Sequence, residues 1–207
     1  MSPRLPFFPQ EPSKIKQRIR NYERSLKKEK KEFGDYHDGY GKRYLIGPLY
    51  MLANDLQGAL DHFNWYEKTF HDDSGHYWQY LCWALACLRN KDYKVATQKF
   101  YRIVFIHYYF LPVFLNEEIE MPIEDEFDEY QKSEAYDTPP ELIDLWQENE
   151  IEWAKKVYNH PEIKGNRLKY IELKNIIKKL PIGDKRNRLL EQQSSIRDTT
   201  DLPEINL

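Results

Sequence analysis

Self-similarity at a fixed spacing is the feature that most constrains this sequence. Shifting the chain by 37 residues places several residues of like size or role over one another. The matched pairs, in chain order, are Gly47 and Ala84, Asn54 and Lys91, Asp55 and Asp92, Ala59 and Ala96, and Phe63 and Phe100. Self-similarity with a period of 20–50 residues is typical of stacked supersecondary repeats. The sequence therefore predicts two consecutive repeats, at about 42–74 and 75–110.

Each repeat has the pattern of a helical hairpin. In the first, 42–53 is predicted as helix A, Asn54-Asp55 as the turn, and 56–70 as helix B. Two antiparallel helices need small residues where their backbones approach and large residues beside them. Ala59 meets the first need and Phe63 the second. The segments 75–90 and 92–109 repeat this plan.

These matched positions resemble tetratricopeptide repeats. Gly47 and Ala84 resemble the small residue at the eighth repeat position, Ala59 and Ala96 the alanine at the twentieth, and Phe63 and Phe100 the aromatic at the twenty-fourth. The usual period is about 34 residues, and the loop 71–75 can absorb the three additional residues. His71 and Tyr108 stand where the repeat usually has proline.

Four short segments are similar to an uncharacterised bacterial family of tetratricopeptide-like proteins. They are 41–45, 58–60, 81–85 and 150–154. The resemblance implies an all-helical, tetratricopeptide-like fold, and the family has no established activity.

The expected fold is all-α, a short α-solenoid of two degenerate tetratricopeptide-like hairpins capped by N- and C-terminal helices. Two repeats cannot cover their own apolar faces, so the flanking helices 13–33 and 138–180 are expected to cap them. Thr138 and Glu141 are spaced as a capping box. The domain boundaries follow: an extended N-terminal arm over 1–12, one helical domain over 13–193 with an acidic linker at 116–137 and C-terminal helices at 138–193, and a flexible tail over 194–207.

Composition favours a soluble, cytoplasmic protein. The net charge is -3, which provides no overall attraction for nucleic acid or membranes. The most apolar stretch, 103–115, is too short to cross a bilayer. Cys82 and Cys87 lie on different faces of one predicted helix, so we expect free, buried thiols in a reducing compartment.

The sequence contains no recognisable catalytic set, and we predict no catalytic, cofactor or metal residues and no enzyme. Gly41-Lys42 lacks the glycine and hydroxyl residue that a phosphate loop needs around it. The loop 71–76 could gather ligands for a divalent ion. We favour an interhelical loop in which Asp73 or Ser74 caps the next helix.

A partner is expected on the surface of the A helices, which lines the concave face in repeats of this type. Its candidate residues are Tyr44, Pro48, Met51, Trp78, Leu81, Leu85 and Leu88. This apolar surface has two interpretations: it binds an amphipathic helix or extended peptide, or the protein's own C-terminal helices fill it, including Trp146 and Trp153. We favour the second, which would move the binding surface elsewhere.

The predicted first helix carries a candidate basic patch of Lys27, Lys28, Lys30 and Lys31. Such a patch can neutralise phosphates, but we favour a solvated helix face. Pairing with the acidic stretch 116–130 is a further alternative. The predicted function is a non-catalytic protein-interaction module or scaffold for an unidentified protein or peptide. The alternative is nucleic-acid binding through the basic helix, which we regard as the weaker hypothesis, and the oligomeric state is left open.

Overall fold

A computed structural model describes residues 6–120 and 128–207. The described residues are 70% helical and contain eleven helices and no strand, which confirms the all-α fold class. The helices are α1 (Pro12–Phe33), α2 (Lys42–Leu52), α3 (Leu56–Thr69), α4 (Tyr77–Arg89), α5 (Tyr93–Ile106), α6 (Phe110–Leu115), α7 (Asp128–Tyr136), α8 (Pro140–Ile143), α9 (Glu148–Asn159), α10 (Pro161–Lys178) and α11 (Asp184–Arg197).

The turn after helix A recurs with the same geometry in both predicted repeats. Asn54 and Lys91 take left-handed backbone conformations, with φ of 56° and 62°. The next residue in each turn donates its N–H to the carbonyl five residues back, at 2.9 Å. The helices that follow, α3 and α5, are both 14 residues long and begin 37 residues apart. The turn and the helix that follows it therefore recur in the backbone after 37 residues.

Contacts divide the chain into two compact units. Unit 1 comprises the described residues up to Asp92 together with Thr138–Gln147, and so contains α1 to α4 and α8. Unit 2 comprises the described parts of Tyr93–Asp137 and Glu148–Leu207, and contains the other helices. The boundary falls inside the second repeat. The predicted single domain over 13–193 stays a prediction.

In unit 1, α2 occupies the centre and contacts α1, α3, α4 and α8. Ala59 is fully buried, and the buried ring of Phe63 lies directly against Gly47. The ring also stacks on Trp83, with centroids 5.2 Å apart. The small and large positions of the predicted hairpin therefore have the roles expected of them.

In unit 2, the acidic stretch is fixed by α9 and α10. Glu120 accepts a hydrogen bond from Arg167 at 2.9 Å and pairs with Lys164, and Glu117 accepts from Asn159 at 3.2 Å. The helix α7 begins at Asp128, inside the predicted linker. Three further acidic residues of the stretch, at 124–126, lie outside the described residues.

The predicted capping box at residue 138 is wrong. The N-cap of α8 is Pro139, and the Glu141 carboxylate accepts the backbone N–H of Phe8 at 3.2 Å. The helix predicted to run from 138 instead ends at Ile143, and α9 begins only at Glu148. Because the Glu141 carboxylate is directed to Phe8, it does not return to the backbone N–H of Thr138 as a capping box requires.

The C-terminal segment also differs from its predicted boundary. The helix α11 continues to Arg197, and Leu202 beyond it is buried. Tyr101 donates to the carbonyl of Ile196 at 3.0 Å, and Trp153 donates through Nε1 to that of Ile205. Residues predicted as a flexible tail therefore pack within unit 2.

Two further predictions concern α4 and the membrane. Cys82 and Cys87 are free and buried, as expected.

Within the described residues, no helix combines the length and the apolar character that a bilayer span requires.

Candidate functional site

The predicted partner surface on the A helices is largely interior in unit 1. Five of its seven residues are buried: Pro48, Met51, Leu81, Leu85 and Leu88. The segment 138–147 lies beside them, since α8 contacts α2 and Arg89 of α4 donates to the carbonyl of Leu145 at 2.6 Å. Trp146, on this segment, is also buried, whereas Trp153 belongs to unit 2. This surface therefore offers a partner little exposed apolar area.

Tyr44 and Trp78 form the part of this surface that remains half-buried, in a pocket of about 420 Å³. Phe7 from the N-terminal arm packs edge-on against Trp78, with centroids 5.2 Å apart. The pocket is lined by Phe7, Asp38, Gly39, Tyr40, Gly41, Arg43, Tyr44, Leu45, His76 and Trp78.

The polar residues next to this pocket are occupied with one another. Asp73 accepts from Nε of Arg43 at 2.8 Å and from the Tyr44 hydroxyl at 2.8 Å. Asp38 accepts the backbone N–H groups of Lys42 and Arg43 at 2.9 and 2.8 Å, and so caps α2. Burial and the Asp73 hydrogen bond raise the pKa of Tyr44 to about 12. The cluster therefore holds α2 to the loop before α4, and its hydroxyl stays protonated.

The loop 71–76 does not assemble a metal site. His71 and Asp72 pair with each other at 3.1 Å on the surface, while Asp73 is held by Arg43. Across the described residues, no group of three or more His, Cys, Asp or Glu side chains could hold a metal ion. The cap of α4 is His76, whose Nδ1 accepts the N–H of Trp78 at 3.3 Å, and this corrects the prediction of Asp73 or Ser74.

A second pocket, of about 310 Å³, opens between α1 and α3 with α2 as its floor. We call it the α1–α3 groove. Its lining comprises Glu23, Leu26 and Lys27 of α1, Tyr36 of the following loop, Ile46 and Tyr50 of α2, and Gly58, Asp61, His62 and Trp65 of α3. Of these residues, only Lys27 is among the candidates predicted from the sequence. The spacing of 58, 61, 62 and 65 marks one face of a helix and is the signal that could have indicated the groove.

The floor of the groove is joined to its α1 wall. The Tyr50 hydroxyl donates to Oε1 of Glu23 at 2.7 Å. The Tyr50 ring lies over Gly58 so closely that a Cβ there would come within 2.6 Å of it. Burial and the Glu23 contact raise the pKa of Tyr50, so the hydroxyl remains a donor. The absence of a side chain at Gly58 therefore allows the Tyr50 ring to pack directly against α3.

His62 lines the groove as a buried side chain of α3. Its Nε2 lies 2.9 Å from the carbonyl oxygen of Arg43, and because a carbonyl can only accept, Nε2 carries the proton. Burial lowers the pKa of His62 to about 4, so the ring is neutral near pH 7. In this tautomer the lone pair is on Nδ1. Trp65 lies beside the ring, with centroids 5.2 Å apart.

The predicted basic patch is exposed but does not form one cluster. Lys30 lies 3.8 Å from Asp35 and 5.3 Å from the Tyr36 ring, and Lys28 lies on a different side of α1 from Lys27. Lys27 and Lys31 instead continue a row with Arg20 and Arg24, at steps of three or four residues. We call these four exposed residues the basic stripe. None has an ion-pair partner among the described residues.

No protein-family model, curated protein or solved structure matches this chain. The groove is therefore interpreted from its own chemistry and geometry.

Proposed function

We propose that this protein is a non-catalytic, tetratricopeptide-like interaction module, and that a protein partner docks in the α1–α3 groove. The observation that carries this proposal is the composition of the groove. Its floor and ends are apolar and aromatic, with Leu26, Ile46, Tyr50 and Trp65, and its rim is charged, with Lys27 and Asp61. Apolar centres surrounded by polar rims are characteristic of protein interfaces.

The size of the groove favours one anchoring side chain over a drug-sized ligand. Ligand pockets commonly span about 300–1,000 Å³, and this pocket, at about 310 Å³, is at the lower limit. Aromatic anchors that fill such pockets contribute much of the binding energy of many interfaces. Trp65 and Tyr36, whose rings meet edge-on at 5.6 Å, supply a wall against which an anchor can pack.

Binding is favoured over catalysis because the polar groups of the groove already have structural partners. Glu23 accepts from Tyr50, Asp61 accepts from Gln57 at 2.8 Å, and Nε2 of His62 faces a backbone carbonyl. The residues that line the groove include no serine, threonine or cysteine to act as a nucleophile. The recurrent turn at Asn54 and Lys91 supports the hairpin plan of the tetratricopeptide-like assignment. The buried free thiols of Cys82 and Cys87 support a reducing, cytoplasmic location.

Photo-crosslinking tests the proposed docking site. A photoreactive residue at Asp61, on the rim, should yield a defined adduct with a protein in native lysate, and the same residue at Lys155, an exposed position on α9, should not. Adding Trp65→Ala should abolish the adduct while circular dichroism shows that the helices are retained. Equal adducts from both positions, or none from Asp61, would rule out the groove as the docking site.

The basic stripe supports nucleic-acid binding as a second candidate function. Its four cations are exposed and unpaired within the described residues, so they are free to contact phosphates. Retention of RNA or DNA that falls with salt, and is lost when Arg20, Arg24, Lys27 and Lys31 become Glu, would support this alternative. Absence of retention at low salt would exclude it.

A further inference from the structure

The charges around the α1–α3 groove are distributed unevenly between its two walls. The α1 side carries the basic stripe of Arg20, Arg24, Lys27 and Lys31. Of these four residues, Lys27 also lines the groove. The eleven residue steps from Arg20 to Lys31 make the stripe about 16 Å long. On the α3 side, the exposed rim residue is the carboxylate Asp61. A ligand that enters the groove therefore meets the cations of the stripe on the α1 side, next to the Tyr50-bound carboxylate of Glu23, and the carboxylate of Asp61 on the α3 side.

We propose that the partner is an acidic peptide segment with one bulky apolar residue: the apolar side chain fills the groove and the carboxylates lie along the basic stripe. This inference rests on the proposed docking function of the groove and specifies its partner. Oppositely charged surfaces favour correct encounter and exclude like-charged partners. Carboxylates spaced along a peptide can reach cations spaced along one helix.

The polar groups inside the groove fit a peptide. Inside the groove, the Tyr50 hydroxyl donates to Glu23 and Nε2 of His62 donates to the carbonyl of Arg43, so both donors already have protein partners. The carboxylates of Glu23 and Asp61 would repel a phosphodiester that followed the groove, because nucleic acid carries a negative charge at every nucleotide. A peptide, by contrast, can carry acidic residues opposite the stripe and uncharged residues next to Glu23 and Asp61. The mixed walls therefore favour a peptide over nucleic acid.

Selection from a random display library of 12-residue peptides against the full-length protein tests the composition directly. We expect enrichment of peptides with several Asp or Glu and one Phe, Trp or Leu. Enrichment of Lys and Arg, or of apolar peptides without a charge preference, would overturn the acidic inference but retain a docking groove. A selection that enriches nothing would count against both the inference and the proposed function.

Reciprocal charge reversal tests how the enriched peptide is oriented. For a labelled enriched peptide, Lys27→Glu should weaken binding about three- to tenfold, Asp61→Lys should strengthen it about two- to fivefold, and Lys155→Glu should leave it unchanged. Replacing the bulky residue of the peptide by Ala should remove most of the affinity in wild type. Stronger binding by Lys27→Glu together with weaker binding by Asp61→Lys would show that the ligand is cationic and would overturn the proposal.

Competition with a nucleic acid tests whether the basic stripe binds nucleic acid instead of a peptide. Single-stranded poly-thymidine of twelve nucleotides should bind less tightly than the peptide and should not displace it at 150 mM salt. Tighter binding of the DNA, with no effect of Trp65→Ala, would show that the stripe serves nucleic acid and would overturn the peptide proposal.

Discussion

The ring of Phe63 lies against the backbone of Gly47 so closely that a Cβ at residue 47 would come within 2.1 Å of Cε1 of the ring. Real Cβ atoms do not approach other heavy atoms to this distance. Phe63 is fully buried and stacks on Trp83, so its ring cannot move aside without disturbing the core of unit 1.

Gly47→Ala should therefore destabilise the protein by about 2–3 kcal/mol, measured by urea unfolding. This loss runs against helix propensity, which favours Ala over Gly by about 1 kcal/mol. Gly165→Ala is the matched control, because Gly165 lies inside α10 and a Cβ added there would meet nothing within 4 Å. That substitution should stabilise by about 0.5–1 kcal/mol. Equal effects of the two substitutions would refute the close contact.

Asp73→Asn should destabilise unit 1 by about 1–3 kcal/mol. Burial alone would raise the pKa of Asp73, but hydrogen bonds from the Gly75 N–H, Tyr44 and Arg43 outweigh it and lower the pKa. The charged form is thus the one that unit 1 stabilises, and an amide cannot accept all these bonds. The adjacent Asp72 is almost fully exposed and pairs only with His71 on the surface, so Asp72→Asn should change little. Thermal unfolding of the two variants provides the comparison.

Stability should fall as the pH is lowered through the titration range of His62. Its pKa is about 4 in the folded protein and 6.5 unperturbed, so the unfolded chain binds a proton first as the pH falls. The contribution of His62 is complete above pH 6.5 and is lost progressively towards pH 4, by up to about 3 kcal/mol.

Urea unfolding at pH 7.5 and pH 4.5 measures this loss. His62→Gln keeps an N–H donor near the Arg43 carbonyl but cannot titrate, so it should lose less stability between the two pH values than wild type. His71→Gln, at an exposed histidine, should behave as wild type does. A His62→Gln variant with the full wild-type loss would show that other groups are responsible.

Arg167→Met should destabilise unit 2 by about 2–4 kcal/mol. Arg167 is 1% exposed, donates to the carbonyl of Tyr158 at 2.8 Å and to Glu120 at 2.9 Å, and its guanidinium lies 3.7 Å from the centre of the Tyr158 ring. Removing one partner of a buried pair leaves polar groups uncompensated. Lys164 pairs with the same carboxylate but is half-exposed, so Lys164→Met should cost under about 1 kcal/mol. Calorimetry measures the stability of both variants. Similar losses of stability for Arg167→Met and Lys164→Met would contradict a special role for the buried Arg167.

The sequence by itself determined the helical class and the repeat. Apolar spacing and a turn that recurs after 37 residues are local properties, because a helix and its turn are specified by residues a few positions apart. For the same reason the turns at Asn54 and Lys91 fall where they were predicted.

Only the tertiary structure decided which surfaces remain open. Burial depends on what packs from distant parts of the chain, and no local pattern reports that Phe8 reaches Glu141 or that Arg89 meets Leu145. These contacts place the predicted A-helix surface in the interior of unit 1, while three separate helices and a loop assemble the α1–α3 groove. A groove of this kind has no contiguous sequence signal, because each helix supplies only a few residues at helical spacing.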